Sequence, residues 1–370
     1  MRNLASIKRI TSIADIPGKD RIGLATVDGW TVIVQKSEFK PGDLCVYVEI
    51  DSVLPERPEF EFLRSKDFRI KTMKMAGCVS QGICFPLSIL PNDGDYREND
   101  DVTELLGVTK WERPDATDVD ETKQNKNKKK YPKWLMRFAW FRWLVRRFEG
   151  DKQAKAFPDF ISKTDETRIQ NAPFYLDMDT NWVVTEKIDG QSGTFALVRH
   201  EPKHFWNNET FEYIVCSRNV RLFNRDNSSY WAVSDKYDIK NMLRIIMDTE
   251  SLDGNKLPWV AIQGECIAPN VQGNKYKVTE PYMYVFNLLY PSGRVGSEEG
   301  RKIVEALGMK WVPILETNKK LPDNVTDMLA YAHGKSAIGD TLREGVVCRT
   351  PDGKQSFKAV DPDFLIKYNE

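Results

Sequence analysis

The chain has 370 residues, 41% hydrophobic and 29% charged, and its 54 Lys and Arg balance 54 Asp and Glu. That length suits two domains with separate cores, and that composition excludes a disordered chain. Without a run of about 18 apolar residues it offers no membrane-spanning helix.

The first segment, "MRNLASIKRITSIADIPGKDRI", alternates apolar and polar residues as a strand does and lacks the apolar core of a secretory leader. A cytoplasmic or nuclear protein is expected, not a secreted one. Residues 1–110 then read as short strands: "GWTVIVQ", "LCVYVEI" and "QGICFPL" are β-branched apolar runs bounded by the turn signals "KPGD" and "PNDGD". Five or six such strands predict a small OB-like β-barrel. Within it, "FLRSKDFRIKTMKMAGCVSQG" interleaves Arg64, Lys66, Arg69, Lys71 and Lys74 with Phe62, Phe68 and Ile70. This is either a face that grips a nucleic-acid backbone or an ordinary solvated strand face.

Residues 111–156 differ in kind. From Lys123 to Lys155 there are 12 Lys and Arg against 2 Asp and Glu, so one segment carries +10 and the rest of the chain −10. Polyanions are the natural partners of such a field. "RPDATDVDETKQNKNKKKYPK" reads as a linker. "WLMRFAWFRWLVRRFEG" places Trp134, Phe138, Phe141, Val145 and Phe148 at near-helical spacing opposite Arg142, Arg146 and Arg147. It predicts a helix, either packed on a domain or set against nucleic acid or a membrane surface.

Residues 157–370 predict a larger second domain. Strands are expected at "NWVVTEK", "SGTFALV", "EYIVCS", "WVAIQGEC", "YMYVFNLL" and "REGVVCR". Helices are expected at "DKYDIKNMLRIIMDTE", at "SEEGRKIVEALG" with Ser297 as cap and Gly308 as stop, and at "VTDMLAYAHG" closed by Gly334. This order of elements predicts an α+β fold with antiparallel sheets and flanking helices. The six cysteines lack metal or disulfide spacing and read as buried free thiols. Three histidines, at 200, 204 and 333, leave little material for histidine chemistry.

The chemistry-bearing stretch is "VVTEKIDGQSGTF". Lys187 follows a strand that would be buried, so it emerges at a pocket edge. An amine with an ordinary pKa of about 10.4 is protonated at neutral pH, so a nucleophilic role requires burial, a bound cation or neighbouring basic groups to lower that value. Asp189 points the same way as Lys187 if strand geometry continues, and Gly190 lets the backbone turn. KxDG alone is a weak signal.

Its weight comes from a series of segments C-terminal to it, in this order: "CSRNVRL" with Arg218, "IQGECIAPNVQGNKY" with Glu265, "YVFNLLY" with Phe286, "LREGVVCR" with Glu344 and "SFKAV" with Lys358. Together these segments resemble motifs I, Ia, III, IIIa, IV and V of the covalent nucleotidyltransferases, the superfamily of ATP-dependent RNA and DNA ligases and mRNA capping guanylyltransferases. The segments "SIADIPGKDRI", "GWTVIVQKSEFKPGDLCVYVEIDSVLP", "SQGICFPL" and "FPDFISKTDETRIQN" resemble the fifth, Deinococcus-type family of RNA ligases, in which an OB domain precedes the adenylyltransferase domain.

The resemblance implies a role for each residue. Lys187 would attack the α-phosphate of ATP to form lysyl-AMP. Asp189, Glu265 and Glu344 would surround Mg²⁺ or Mn²⁺. Glu186, Arg218, Glu265, Phe286 and Lys358 would hold ATP or AMP, with Phe286 stacked on adenine and Lys358 neutralising the α-phosphate. Val360 stands where many relatives carry a second motif V lysine, and Lys367 is the candidate replacement. Arg69, Lys71 and Lys74 would grip RNA, and the substrate would be a nicked duplex with an RNA 3′-hydroxyl, sealed by a monomer. The rivals are a capping guanylyltransferase, a DNA ligase and an RNA-binding protein with a decayed ligase domain.

Overall fold

The computed structural model describes residues 3–91, 94–111, 156–202, 208–226, 228–252 and 254–368. The helix expected around residues 134–148, the rest of residues 112–155 and His204 lie outside them.

The N-terminal part begins with four strands, β1 (Ala5–Ile16), β2 (Lys19–Val27), β3 (Trp30–Gln35) and β4 (Leu44–Val48). Five short ones come next, β5 (Ser52–Val53), β6 (Arg69–Ile70), β7 (Met73–Met75), β8 (Cys78–Ser80) and β9 (Ile83–Phe85), and then α1 (Thr103–Leu106) and β10 (Thr109–Lys110). A five-stranded antiparallel sheet has the order β3-β2-β1-β4-β9. The first half of β1 pairs with β4, and the second half with β2 after a register shift near Ile10, so one long strand serves both sides of a curled sheet. Ile7, Ile10, Val27, Trp30, Val46 and Val48 fill the inside. This is the curled OB sheet that the alternating pattern predicts.

The second part holds two sheets. One, of order β11-β23-β22-β12-β21, contains β11 (Thr167–Arg168), β12 (Trp182–Lys187), β21 (Ile314–Lys319), β22 (Gly345–Arg349) and β23 (Ser356–Val360). The other runs β14-β13-β17-β18-β19, with β20 also paired to β18. It comprises β13 (Gln191–His200), β14 (Thr210–Cys216), β17 (Trp259–Ile267), β18 (Tyr282–Tyr290), β19 (Gly293–Arg294) and β20 (Lys310–Trp311). A small hairpin joins β15 (Ser251–Leu252) to β16 (Asn255–Lys256). The sheets are mostly antiparallel, but β11 runs parallel to β23 and β20 parallel to β18, so both are mixed.

The helices are α2 (Ser229–Lys236), α3 (Ile239–Thr249), α4 (Ser297–Ala306), α5 (Val325–Ala332) and α6 (Pro362–Tyr368). The single helix expected from Asp235 is two: Asp238 adopts a left-handed φ of 45° that separates α2 from α3. α2 was not legible because Ser228, its cap, precedes a short, weakly periodic run. Gly296, not Ser297, caps α4, since Ser297 is already helical. α3 lays Ile239, Met242, Leu243, Ile246 and Met247 against the second sheet, an apolar stripe of period 3.6. α5 packs Met328 and Ala332 beneath Trp182, Val184 and Phe357 of the first.

The two parts are sewn together. Phe364 and Leu365 of α6 are buried in the barrel core. The "TRIQN" segment binds the barrel at several points. Gly29 N donates to the Gln170 carbonyl at 3.2 Å, Trp30 Nε1 to Asn171 at 2.6 Å, Asn171 Nδ2 to Glu49 at 2.8 Å, and Arg168 pairs with Asp51 at 3.0 Å. A Cβ on Gly29 would come within 2.7 Å of Gln170 Cα, so only glycine permits this approach. One consequence is that barrel residues reach the cleft between the two sheets.

Candidate active site

Strand alternation aims Val183, Thr185 and Lys187 of β12 to the face opposite Trp182 and Val184, which sit in the core under the sheet. That upper face meets β17 and β18 across a cavity of about 300 Å³. The link from β12 to β13 is very tight. Asp189 N donates to the Tyr276 hydroxyl at 2.9 Å, and Gly190 N to Glu265 Oε1 at 3.0 Å. A Cβ on Gly190 would lie 2.5 Å from the Cys266 carbonyl oxygen and 3.0 Å from Glu265 Cγ. The glycine is therefore required for space, and φ there is not left-handed.

Lys187 Nζ donates to Glu344 Oε2 at 2.5 Å, and Asp189 is ion-paired with Lys275. Burial works against the charge on Lys187, but Glu344, then Glu265 and Asp189, outweigh it and hold the amine above the ordinary lysine value. The protein groups thus do the reverse of what a nucleophile needs. Burial also pushes Glu265 up to about 8, with Lys187 opposing and the neighbouring carboxylates adding to the rise. Three carboxyl groups border the amine and form an oxygen-rich site, a donor set that fits a hard divalent cation.

The cationic side of the cavity is built around Asp165. Its Oδ1 accepts from Lys358 Nζ at 3.0 Å and lies 3.4 Å from Arg218 Nη2. Burial, reinforced by Arg168 and Lys187 and opposed by Asp165, drives Lys358 down to about 8. Against the push of burial, Lys358 and Arg218 hold Asp165 at about 2. β11 fixes this geometry by pairing Arg168 with Lys358. Arg168 is buried, and its Nε and Nη1 have no hydrogen-bond partner among the described residues. The barrel supplies Arg69, whose guanidinium lies 3.4 Å from the Trp111 ring centroid.

On the opposite side Phe286 and Val347 line the cavity from different sheets, leaving a slot with an aromatic wall. Glu186 lines it too: one carboxylate oxygen accepts from Ala337 N at 2.8 Å, and burial raises its pKa. Beyond Phe286 stands Arg349, paired with Glu166 at 3.1 Å.

Of the residues singled out in the sequence, Lys187, Glu186, Asp189, Arg218, Glu265, Phe286, Glu344, Lys358 and Arg69 all border this one cavity. Lys367, Lys71 and Lys74 do not border it. Lys367 lies on α6 with its Nζ 5.1 Å from the Tyr368 ring. Sequence reasoning missed Asp165, Glu166, Arg168 and Arg349. The first three sit in "SKTDETRIQN", a stretch with no periodicity to mark it.

The profile of RNA ligases matches residues 180–368, and that of an OB-fold domain matches residues 4–87. The chain belongs to the RNA ligase family. A search of curated proteins finds no match. Among solved structures, a Naegleria gruberi RNA ligase with PPi is 30% identical, with a TM-score of 0.78, over 100% of this chain and 99% of that one. A variant of the Naegleria gruberi ligase with ATP and Mn is 29% identical over 100% of both chains, TM-score 0.78. Another, with AMP and Mn, is 29% identical over 98% of both, TM-score 0.77. The chain thus combines an N-terminal OB-fold domain with an α+β ligase domain. No helix among the described residues is long and apolar enough to cross a membrane.

Proposed function

We propose that this protein is an ATP-dependent RNA ligase of the fifth, Deinococcus-type group that seals 3′-hydroxyl/5′-phosphate nicks through lysyl-AMP and AMP-polynucleotide intermediates. The observation that carries the reading is the meeting in one cavity of Lys187, three carboxylates and the Lys358, Arg168 and Arg218 cations. The presence of ATP, AMP, PPi and Mn in the Naegleria gruberi ligase structures supports it.

In the first step the Lys187 Nζ lone pair attacks the α-phosphorus of ATP. An N–P bond forms, the bond to the β-phosphate oxygen breaks, and pyrophosphate leaves. Before a cation binds, Glu344 accepts from Nζ at 2.5 Å and orients the amine. Lys358, Arg168 and Arg218 neutralise the phosphate oxygens, the chief demand of phosphoryl transfer. Phe286 stacks on the base, and the backbone at Glu186 borders the nucleotide. A divalent ion held by Asp189, Glu265 and Glu344 would supply positive charge that draws these carboxylates away from Lys187 and favours the neutral amine. AMP then passes to the RNA 5′-phosphate, and the 3′-hydroxyl attacks that activated phosphate and releases AMP. The six free thiols fit a reducing cytoplasmic or nuclear setting.

The test is a sealing assay with ATP and Mn²⁺ on nicked duplexes that differ only in the sugar at the 3′ terminus. The reading predicts sealing with ribose and loss with deoxyribose. Equal sealing of both would make the protein a DNA ligase, and labelling by GTP in preference to ATP would make it a capping guanylyltransferase.

A further inference from the structure

Arg349 is only 2% exposed. Its Nη2 donates to Glu166, while Nε and Nη1 have no hydrogen-bond partner among the described residues. Glu166 is already shared. Arg294 lies 3.5 Å from it, and the Ser356 hydroxyl also donates to it. Two guanidinium groups therefore divide one partly buried carboxylate, and two charged donors are left over on Arg349, a residue that lines the cavity. Buried donors without acceptors are costly, and such a group persists where something else supplies the acceptor.

Strand register shows which part of a nucleotide that would be. Lys187 pairs with Gly345, Thr185 with Val347 and Val183 with Arg349. At about 3.3 Å per residue, Arg349 sits roughly 13 Å along β22 from the level of Lys187. The Lys187 amine fixes the position of the α-phosphorus, the ribose comes next, and the base extends farthest. Arg349 is too distant for the α-phosphate. Its guanidinium lies 5.9 Å from the centroid of Phe286, the ring on which the base would stack.

We propose that Arg349 helps to hold the base by donating, through Nε or Nη1, to a ring nitrogen of adenine, with Glu166 fixing the plane of the guanidinium. The inference rests on the protein's use of ATP, proposed in the preceding subsection. A guanidinium only donates, and the exocyclic amine of adenine also donates, so N1, N3 and N7 are the atoms available to it.

The test measures adenylation of Lys187 by ATP and by 1-deaza-, 3-deaza- and 7-deaza-ATP, each lacking one acceptor. In the wild type, one analogue should lose about tenfold or more in kcat/KM, as expected for a charge-assisted hydrogen bond. In Arg349→Ala, ATP should fall to the level of that analogue and the difference between them should vanish. Arg349→Lys, which keeps the charge without the planar fork, should behave as the alanine variant does. If the wild type uses all three analogues as readily as ATP, or if the penalty survives in Arg349→Ala, the proposal is wrong. The wild-type series needs no variant to fold. ATP itself is the control for the underlying reading: acceptance of ATP with indifference to every analogue overturns the role of Arg349 alone.

Discussion

Replacing Lys358 with methionine removes a charge and keeps most of the side chain's volume. Lys358 is 15% exposed, and burial, helped by Arg168 and Lys187, moves its pKa from 10.5 to about 8 despite Asp165. A change of that size corresponds to about 3 kcal/mol of folding free energy, at about 1.4 kcal/mol per tenfold change in proton affinity. The folded state disfavours the proton, so the cost is fully present below pH 8, where folded and unfolded chains both carry it. It fades as pH rises from about 8 towards 10.5 and is absent above that. Lys358→Met should therefore be more stable than the wild type at pH 7 by up to about 3 kcal/mol, an advantage that disappears by about pH 10.5. The same variant should lose adenylation, because the charge that destabilises the fold is the one set to meet the phosphate. Urea unfolding of both proteins at several pH values gives the comparison. A variant no more stable than the wild type at pH 7, or one whose advantage does not change with pH, would refute the reasoning.

Three further outcomes can be checked. Gly190→Ala must displace the Cys266 carbonyl or Glu265, a cost of about 1–3 kcal/mol. Adenylation should fall by more than the lost stability explains, and unchanged activity would show that the link has room after all. Glu166 is held below the ordinary glutamate value by Arg349 and Arg294, which outweigh its burial. Its contribution is present above pH 4.5 and is lost as pH falls through its folded pKa. Glu166→Gln should lower stability at pH 7 by about 3 kcal/mol and flatten the acid limb of thermal stability, and an unchanged acid limb would count against the pairing. Deleting residues 123–150 removes most of the +10 segment, so the salt dependence of RNA binding should become shallower. An identical slope would end the case for phosphate contacts there.

Much of the site was legible because strands write their faces into sequence. Lys187, Glu344 and Lys358 each adjoin or lie in a β-branched run, and order along the chain was enough to associate them. The residues that were not legible act through topology. Asp165, Glu166 and Arg168 enter the cavity because a two-residue parallel strand lies beside β23, and no local pattern announces a pairing across nearly two hundred residues. Arg349 sits in a run that reads as core, and only register shows that its alternate face opens on the cavity. The need for Gly190 was foreseen, and the structure traces it to the approach of β17. The break at Asp238 likewise depends on one backbone angle within a helix-favouring sequence.

The proposed chemistry turns on the Lys187 amine becoming bonded to the phosphorus of AMP. Peptide mass spectrometry of the protein after incubation with ATP and Mn²⁺ tests it most directly. A peptide containing Lys187 and heavier by one adenylate, absent from Lys187→Ala, is the predicted result. An adenylate on another side chain, or none on a protein that still joins RNA ends, would contradict it.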